Sequence, residues 1–121
     1  MKNDKLDIAE RSVAYSLRII KLYRELDNDS TGRILGKQLL RSGTSIGANI
    51  HEAQGAQSTA DFISKMSIAH KEARESAYWL RLLQDSGLIS TGRLADLYDE
   101  TDQLVKILSS ILLTSKKGKN P

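Results

Sequence analysis

Two successive stretches of this chain place apolar or small residues at alternating steps of four and three. In the first, Phe62, Met66, Ala69, Ala73, Ser76, Leu80 and Leu83 follow the rule. In the second, Leu94, Leu97, Thr101, Leu104, Leu108 and Ile111 follow it. Only a helix gathers residues so spaced onto one side, and the alternation is a heptad seam. The one proline is Pro121, the last residue, so no proline interrupts a helix. Alternation with the period of a strand is absent, and no sheet is expected.

Two earlier stretches read the same way. Over residues 7–26, Val13, Leu17, Ile20 and then Tyr23 or Arg24 keep helical spacing, and Ile19, Leu22 and Leu26 widen the apolar side. The run Asp27-Asn28-Asp29-Ser30 is turn-rich, with Asn28 or Ser30 as the expected cap of the next helix. Over residues 31–54, Leu35, Leu39, Ile46, Ile50 and Ala53 line up. Gly55 is the expected stop, in a left-handed conformation. Ser58 and Asp61 have capping-box spacing before the third helix, Gly87 ends it, and the fourth starts near Ser90. Links of about four to six residues make consecutive helices antiparallel neighbours. The expectation is an all-α, up-down-up-down antiparallel four-helix bundle over residues 1–115, with a short basic flexible tail over 116–121.

A chain of 121 residues suits one domain. Cysteine is absent, which excludes disulfides, thiol catalysis and cysteine-held metals. No apolar run is long enough to cross a bilayer, and the first ten residues lack an apolar signal core. A soluble, cytoplasmic protein with no membrane partner is expected. The net charge of +3 equals the charge of the tail, through Lys116, Lys117 and Lys119, so the first 115 residues are neutral overall. Residues 31–56 carry +2 and residues 90–115 carry −2. Such asymmetry can pair one subunit with the next, head to tail.

The second helix holds an odd stretch, Ser42-Gly43-Thr44-Ser45-Ile46-Gly47-Ala48-Asn49-Ile50. Each mid-helix glycine costs about 1 kcal/mol relative to alanine. Gly43 and Gly47 share a face, which lets another helix or another chain come close. Tight packing is the first expectation. A backbone-lined phosphate site or a local kink are the alternatives. Downstream, Asn49 and Glu52 share a face, and read either as plain helix surface or as a hydrogen-bonding pair near a subunit boundary.

Catalytic patterns are missing. Neither His51 nor His70 has a glutamate three residues before it, and neither sits in His-Glu-x-x-His. His70 reads as half-buried and hydrogen-bonded, and Glu75 as a surface partner for Lys71. No serine occupies Gly-x-Ser-x-Gly, and no phosphate-binding glycine loop occurs. No catalytic residue, metal or cofactor is expected, and the chain does not read as an enzyme.

Binding surfaces remain. Arg33, Lys37 and Arg41 step by four along the second helix, and Arg11, Arg18, Lys21 and Arg24 cluster on the first. Adjacent helices would merge them into a stripe suited to phosphate-backbone contact. The aromatic residues do not interleave with that stripe. The last turns of the fourth helix, with Ile107, Leu108, Ile111, Leu112 and Leu113, are apolar nearly all round. That patch and the glycine face are both expected to meet a second copy.

The run from Arg41 to Ala53 resembles a known pattern, as do Asp61-Phe62-Ile63-Ser64-Lys65-Met66, Lys71-Glu72-Ala73-Arg74-Glu75, Tyr78-Trp79-Leu80 and Leu88-Ile89. Together they resemble the small bacterial four-helix bundles called 23S ribosomal RNA intervening-sequence proteins, over roughly residues 7–113. The family pattern is Ser-Ile-Pro-Ala-Asn-Ile-Ala-Glu-Gly. This chain keeps Ser45, Ile46, Ala48, Asn49, Ile50 and Glu52, with Gly47 for the proline and His51 for the second alanine. The resemblance implies a homo-oligomer, a ring of five. Similarity extends to the accessory protein of diversity-generating retroelements, a more basic pentameric barrel that binds nucleic acid. The ribosomal label reflects where some relatives are encoded, and no catalytic residue carries over. The sequence therefore points to an oligomeric, non-enzymatic bundle binding RNA or DNA, or an RNA–protein complex, through helices one and two. The alternative is a homo-oligomeric scaffold for protein partners.

Overall fold

The computed structural model describes residues 4–119. Its elements are α1 (Asp4–Leu26), α2 (Ser30–Gln54), α3 (Thr59–Asp85) and α4 (Thr91–Lys119), with no strand among the described residues. Lys116 and Lys117, expected in a loose tail, continue α4; Asn120 and Pro121 lie outside the described residues.

Each helix packs on the next in the chain, and α4 closes back on α1. Cross-helix pairs fix the directions. Gly47 of α2 meets Ser12 of α1, whereas Gly32 meets Leu26. Glu52 of α2 pairs with Lys65 of α3, and Arg41 with Glu72. Arg93, early in α4, pairs with Glu25, late in α1, and Glu100 pairs with Arg11. Every neighbouring pair is antiparallel, so the up-down-up-down bundle stands.

The heptad seams of α3 and α4 face inward as spaced, with Phe62 half-buried at one end. The α1 face differs. Val13 is 46% exposed and Leu17 61%, while Ile8, Ser12, Tyr15, Ile19, Leu22 and Leu26 are buried. The true α1 seam also steps by four and three, but two of its members are polar. A stripe of aliphatics on the wrong side outweighed them.

Capping follows local chemistry. Asp29, rather than Asn28 or Ser30, caps α2, its carboxylate accepting from the Gly32 amide at 2.7 Å. Ser58 caps α3 by accepting from the Asp61 amide at 3.0 Å, and Asp61 accepts from the Gln57 amide at 3.3 Å. Gly55 ends α2 at φ −99°, not in the left-handed region. Gly87 does take that region, at φ +80°, just past α3.

At mid-height the core is polar. Tyr15, Ser42, Ser76 and Thr101, one from each helix, are all buried. Thr101 donates its single proton to the Leu97 carbonyl at 2.7 Å, so Tyr15 donates the 2.7 Å bond that joins it to Thr101. Likewise Ser76 donates to the Glu72 carbonyl at 2.9 Å, and Ser42 donates to Ser76 at 2.8 Å. Ser76 also lies against the Tyr15 hydroxyl. Burial pushes the Tyr15 phenol up to about 12, which keeps it a donor.

Candidate functional site

The small-residue face of α2 is occupied from within. Gly32, Gly36, Gly43 and Gly47 all look onto α1. A Cβ at Gly43 would stand 3.0 Å from Ile19, and one at Gly47 would stand 3.0 Å from Ser12. The stripe is therefore a close helix approach inside one chain, and it offers no free glycine face to a second copy. The apolar end of α4 is also largely covered: Leu108, Ile111 and Leu112 are buried, Ile107 is half-buried, and Leu113 alone of the five is exposed. These residues join the buried core, so most of the apolar excess read from the sequence fills the bundle.

The family-motif residues divide between interior and surface. Ile46 and Gly47 are buried beside Gly43. Ala48 is exposed, and Ser45 and Asn49 are half-buried, with the Asn49 amide donating to the Ser45 carbonyl at 2.9 Å. Asn49 and Glu52 do not pair; Glu52 takes Lys65 at 2.9 Å. His51 donates from Nδ1 to the Gly47 carbonyl at 2.8 Å. Val13, Ser16, Leu17, Gly47, Ala48 and His51 together line a shallow groove on the outside of α1 and α2.

The seven candidate cations separate sharply. Arg11 holds Glu100 at 2.7 Å and Gln103 at 2.8 Å on α4. Arg33 folds back on Asp27, reaching its carbonyl at 2.8 Å and its carboxylate at 3.1 Å. Arg41 bridges to Glu72 at 3.1 Å and also to Glu75 on α3. Glu72 is only 8% exposed, so Arg41 neutralises a carboxylate that water scarcely reaches. Glu75 also accepts from the Trp79 indole at 2.9 Å, and that bond, with Arg41, holds its carboxyl below the usual range. These three arginines join elements of the bundle. Arg18, Lys21, Arg24 and Lys37 are exposed and make no salt bridge among the described residues. Arg24 and Lys37 sit at one level, since Tyr23 covers Gly36.

His70 is half-buried, but no hydrogen bond to it is present among the described residues. Burial, then Arg74 and Lys116, hold its imidazole below the ordinary value of 6.5. Protonating it therefore costs more in the folded chain than in the unfolded one. Stability is expected to fall as pH drops from about 7.5 to about 5.5, and His70→Gln to lessen that fall. Thermal melts at both pH values check this, and an undiminished fall in the variant would exonerate His70. Lys71 makes no salt bridge to Glu75, which Arg41 and Trp79 hold, but its charge reaches that carboxylate and helps to lower it.

At one end of the bundle lies an open hollow of about 830 Å³, floored by Ile8, Ile50, Ala53, Phe62 and Met66 and rimmed by Gln54, Gln57 and Ser58. Among the described residues, no ionisable side chain lines it. Among the described residues, no cluster of His, Cys, Asp or Glu is placed to hold a metal ion. No helix there is long and apolar enough to cross a membrane.

Residues 4–110 match the family model described as 23S rRNA-intervening sequence protein. The chain is 42% identical to a protein of unknown function from the S23 ribosomal protein family of Bacteroides thetaiotaomicron. That match covers 91% of this chain and 98% of the other, with a TM-score of 0.87 between the structures. Among curated proteins nothing matches significantly. Neither match names a retroelement accessory protein, so the second part of the sequence resemblance gains no support. The family motif, the four helices and the match along nearly the whole length agree: the chain belongs to the 23S rRNA-intervening sequence protein family.

Proposed function

We propose that this protein is a non-enzymatic helical module that holds nucleic acid by its phosphate backbone, through the outer face of α1 and α2. The observation that carries the reading is the set of four exposed cations, Arg18, Lys21, Arg24 and Lys37, none in a salt bridge among the described residues. Cations already held by carboxylates gain little from a phosphate, whereas these four would release counterions from the backbone on contact. Arg11, Arg33 and Arg41 take no part, because each is committed within the bundle. Cytoplasmic residence, which the lack of cysteine fits, belongs to the same reading.

Replacing all four residues by glutamine is expected to weaken binding of structured RNA or duplex DNA at least about tenfold at about 50 mM salt. The wild-type affinity should fall steeply by about 200 mM salt. Fluorescence anisotropy with a labelled hairpin and a labelled duplex measures both. Equal affinities for the variant and the wild type would end this reading.

A second reading is a homo-oligomeric scaffold for protein partners, with the ring of five that the sequence resemblance implies. It is favoured by Val13 and Leu17, exposed beside the groove with Ala48 and His51. Light scattering of the same preparation separates a ring from a monomer.

A further inference from the structure

We propose that the opposite side of the bundle, where α3 and α4 meet, is a second nucleic-acid surface suited to single strands. It rests on the reading above for the class of partner only, and uses different residues. Lys71, Arg74 and Tyr78 follow one another along α3 at steps of three and four, and all three are exposed. His70 feels both Arg74 and Lys116, which places the last turns of α4 beside this part of α3. Lys116 and Lys117 are exposed there.

Carboxylates are few in that region. Residues 62–71 contain no Asp or Glu, and neither do residues 103–121. The antiparallel packing of α3 on α4 lays these two acid-free stretches side by side. Glu72 and Glu75, the nearest acids in the chain, are turned to Arg41 on α2. Lys71, Arg74, Lys116 and Lys117 accordingly make no salt bridge among the described residues. Glu75 lies within electrostatic reach of Lys71, but the cations there outnumber the carboxylates left to them, and such an excess raises a positive potential that attracts a polyanion.

Tyr78 decides between polyanions. It is 55% exposed, and its ring meets Trp79 edge-on, with centroids 5.1 Å apart. A braced, exposed aromatic ring one turn from Arg74 can take a base on its face while the cations follow the backbone. Bases are free to stack in this way in a single strand but not in a duplex. A duplex backbone would not use the ring.

The test is anisotropy with a labelled oligouridylate of about 20 nucleotides at about 50 mM salt, on the full chain. Lys71→Glu, Arg74→Glu and Lys116→Glu combined should weaken binding at least about tenfold. Tyr78→Ala should weaken it about fivefold or more while leaving duplex binding unchanged. The same three positions changed to Gln give the answer if the charge reversals impair folding, which circular dichroism reports. Unchanged oligouridylate affinity in the Gln or Glu variant would overturn the proposal. So would capture by anionic phosphatidylglycerol vesicles with no binding to the oligonucleotide. The Gln variant of Arg18, Lys21, Arg24 and Lys37 separates the two faces. Loss of single-strand binding there alone would sink this proposal and leave the α1–α2 reading standing. Loss only in the α3–α4 variants is the result expected here, and the duplex and hairpin titrations decide the α1–α2 reading separately.

Discussion

Gly43→Val should lower stability by about 2–3 kcal/mol, because the added side chain has no room at the α1–α2 contact. The added Cβ alone would lie 3.0 Å and 3.2 Å from the two γ-carbons of Ile19 and 3.5 Å from its Cβ. Ile19 is fully buried, so it has nowhere to retreat. Either α1 moves outward, which exposes core on both sides, or Ile19 leaves its rotamer well. The gain in helix propensity on replacing a glycine, at most about 1 kcal/mol, does not offset this. Gly92→Ala is the control, because a Cβ there meets nothing within 4 Å, and it should be neutral or slightly stabilising. Urea melts of both variants provide the comparison. The midpoint temperature of Gly43→Val should drop by about 10 °C. If Gly43→Val proved as stable as Gly92→Ala, the close α1–α2 approach would be wrong.

Thr101→Val should cost about 1.5–2 kcal/mol although it preserves shape. The substitution takes away the acceptor of the Tyr15 proton, and the buried phenol loses its bond to α4. Tyr15→Phe should cost somewhat less, since Thr101 keeps its own bond to the Leu97 carbonyl. With both changes made, no donor is stranded at this joint. The double variant is expected to be more stable than the sum of the singles by about 0.5–1 kcal/mol. A double-mutant cycle by chemical denaturation measures that coupling. Strict additivity would show that the two hydroxyls do not depend on each other.

These two sites also mark how far the sequence could be read. The seams of α3 and α4 were legible because nearly every member is apolar or small, and the period carries the face directly. In α1 the same period runs through Ser12 and Tyr15, whose polarity hid it, while Val13 and Leu17 suggested a false inner face. The hydroxyls become intelligible only when four helices bring them to one level, and no spacing along one chain contains that information. Gly43 and Gly47 stood out because they interrupt a long helix; Gly32 and Gly36 extend the same stripe, and counting back by seven and four would have found them. The cations were the least legible. Arg11, Arg33 and Arg41 read from composition like Arg18 or Lys37, and what separates them is a carboxylate up to 89 positions away. Lys116 beside His70 is a pairing of the same long-range kind.

An even number of antiparallel helices returns the chain to the side from which it set out. Ile8, near the start, and Ser115 and Gly118, near the end, line the same hollow. The α1–α2 and α3–α4 turns occupy the far end, where Arg33 and Asp27 lock the first of them. Anything tethered to either terminus is thus carried on one pole of the molecule, along with the α2–α3 connection. The opposite pole stays unencumbered. A linker of a few residues joining the ends would permit new termini to be opened at the Gly87 turn, with the order of helices around the bundle unaltered.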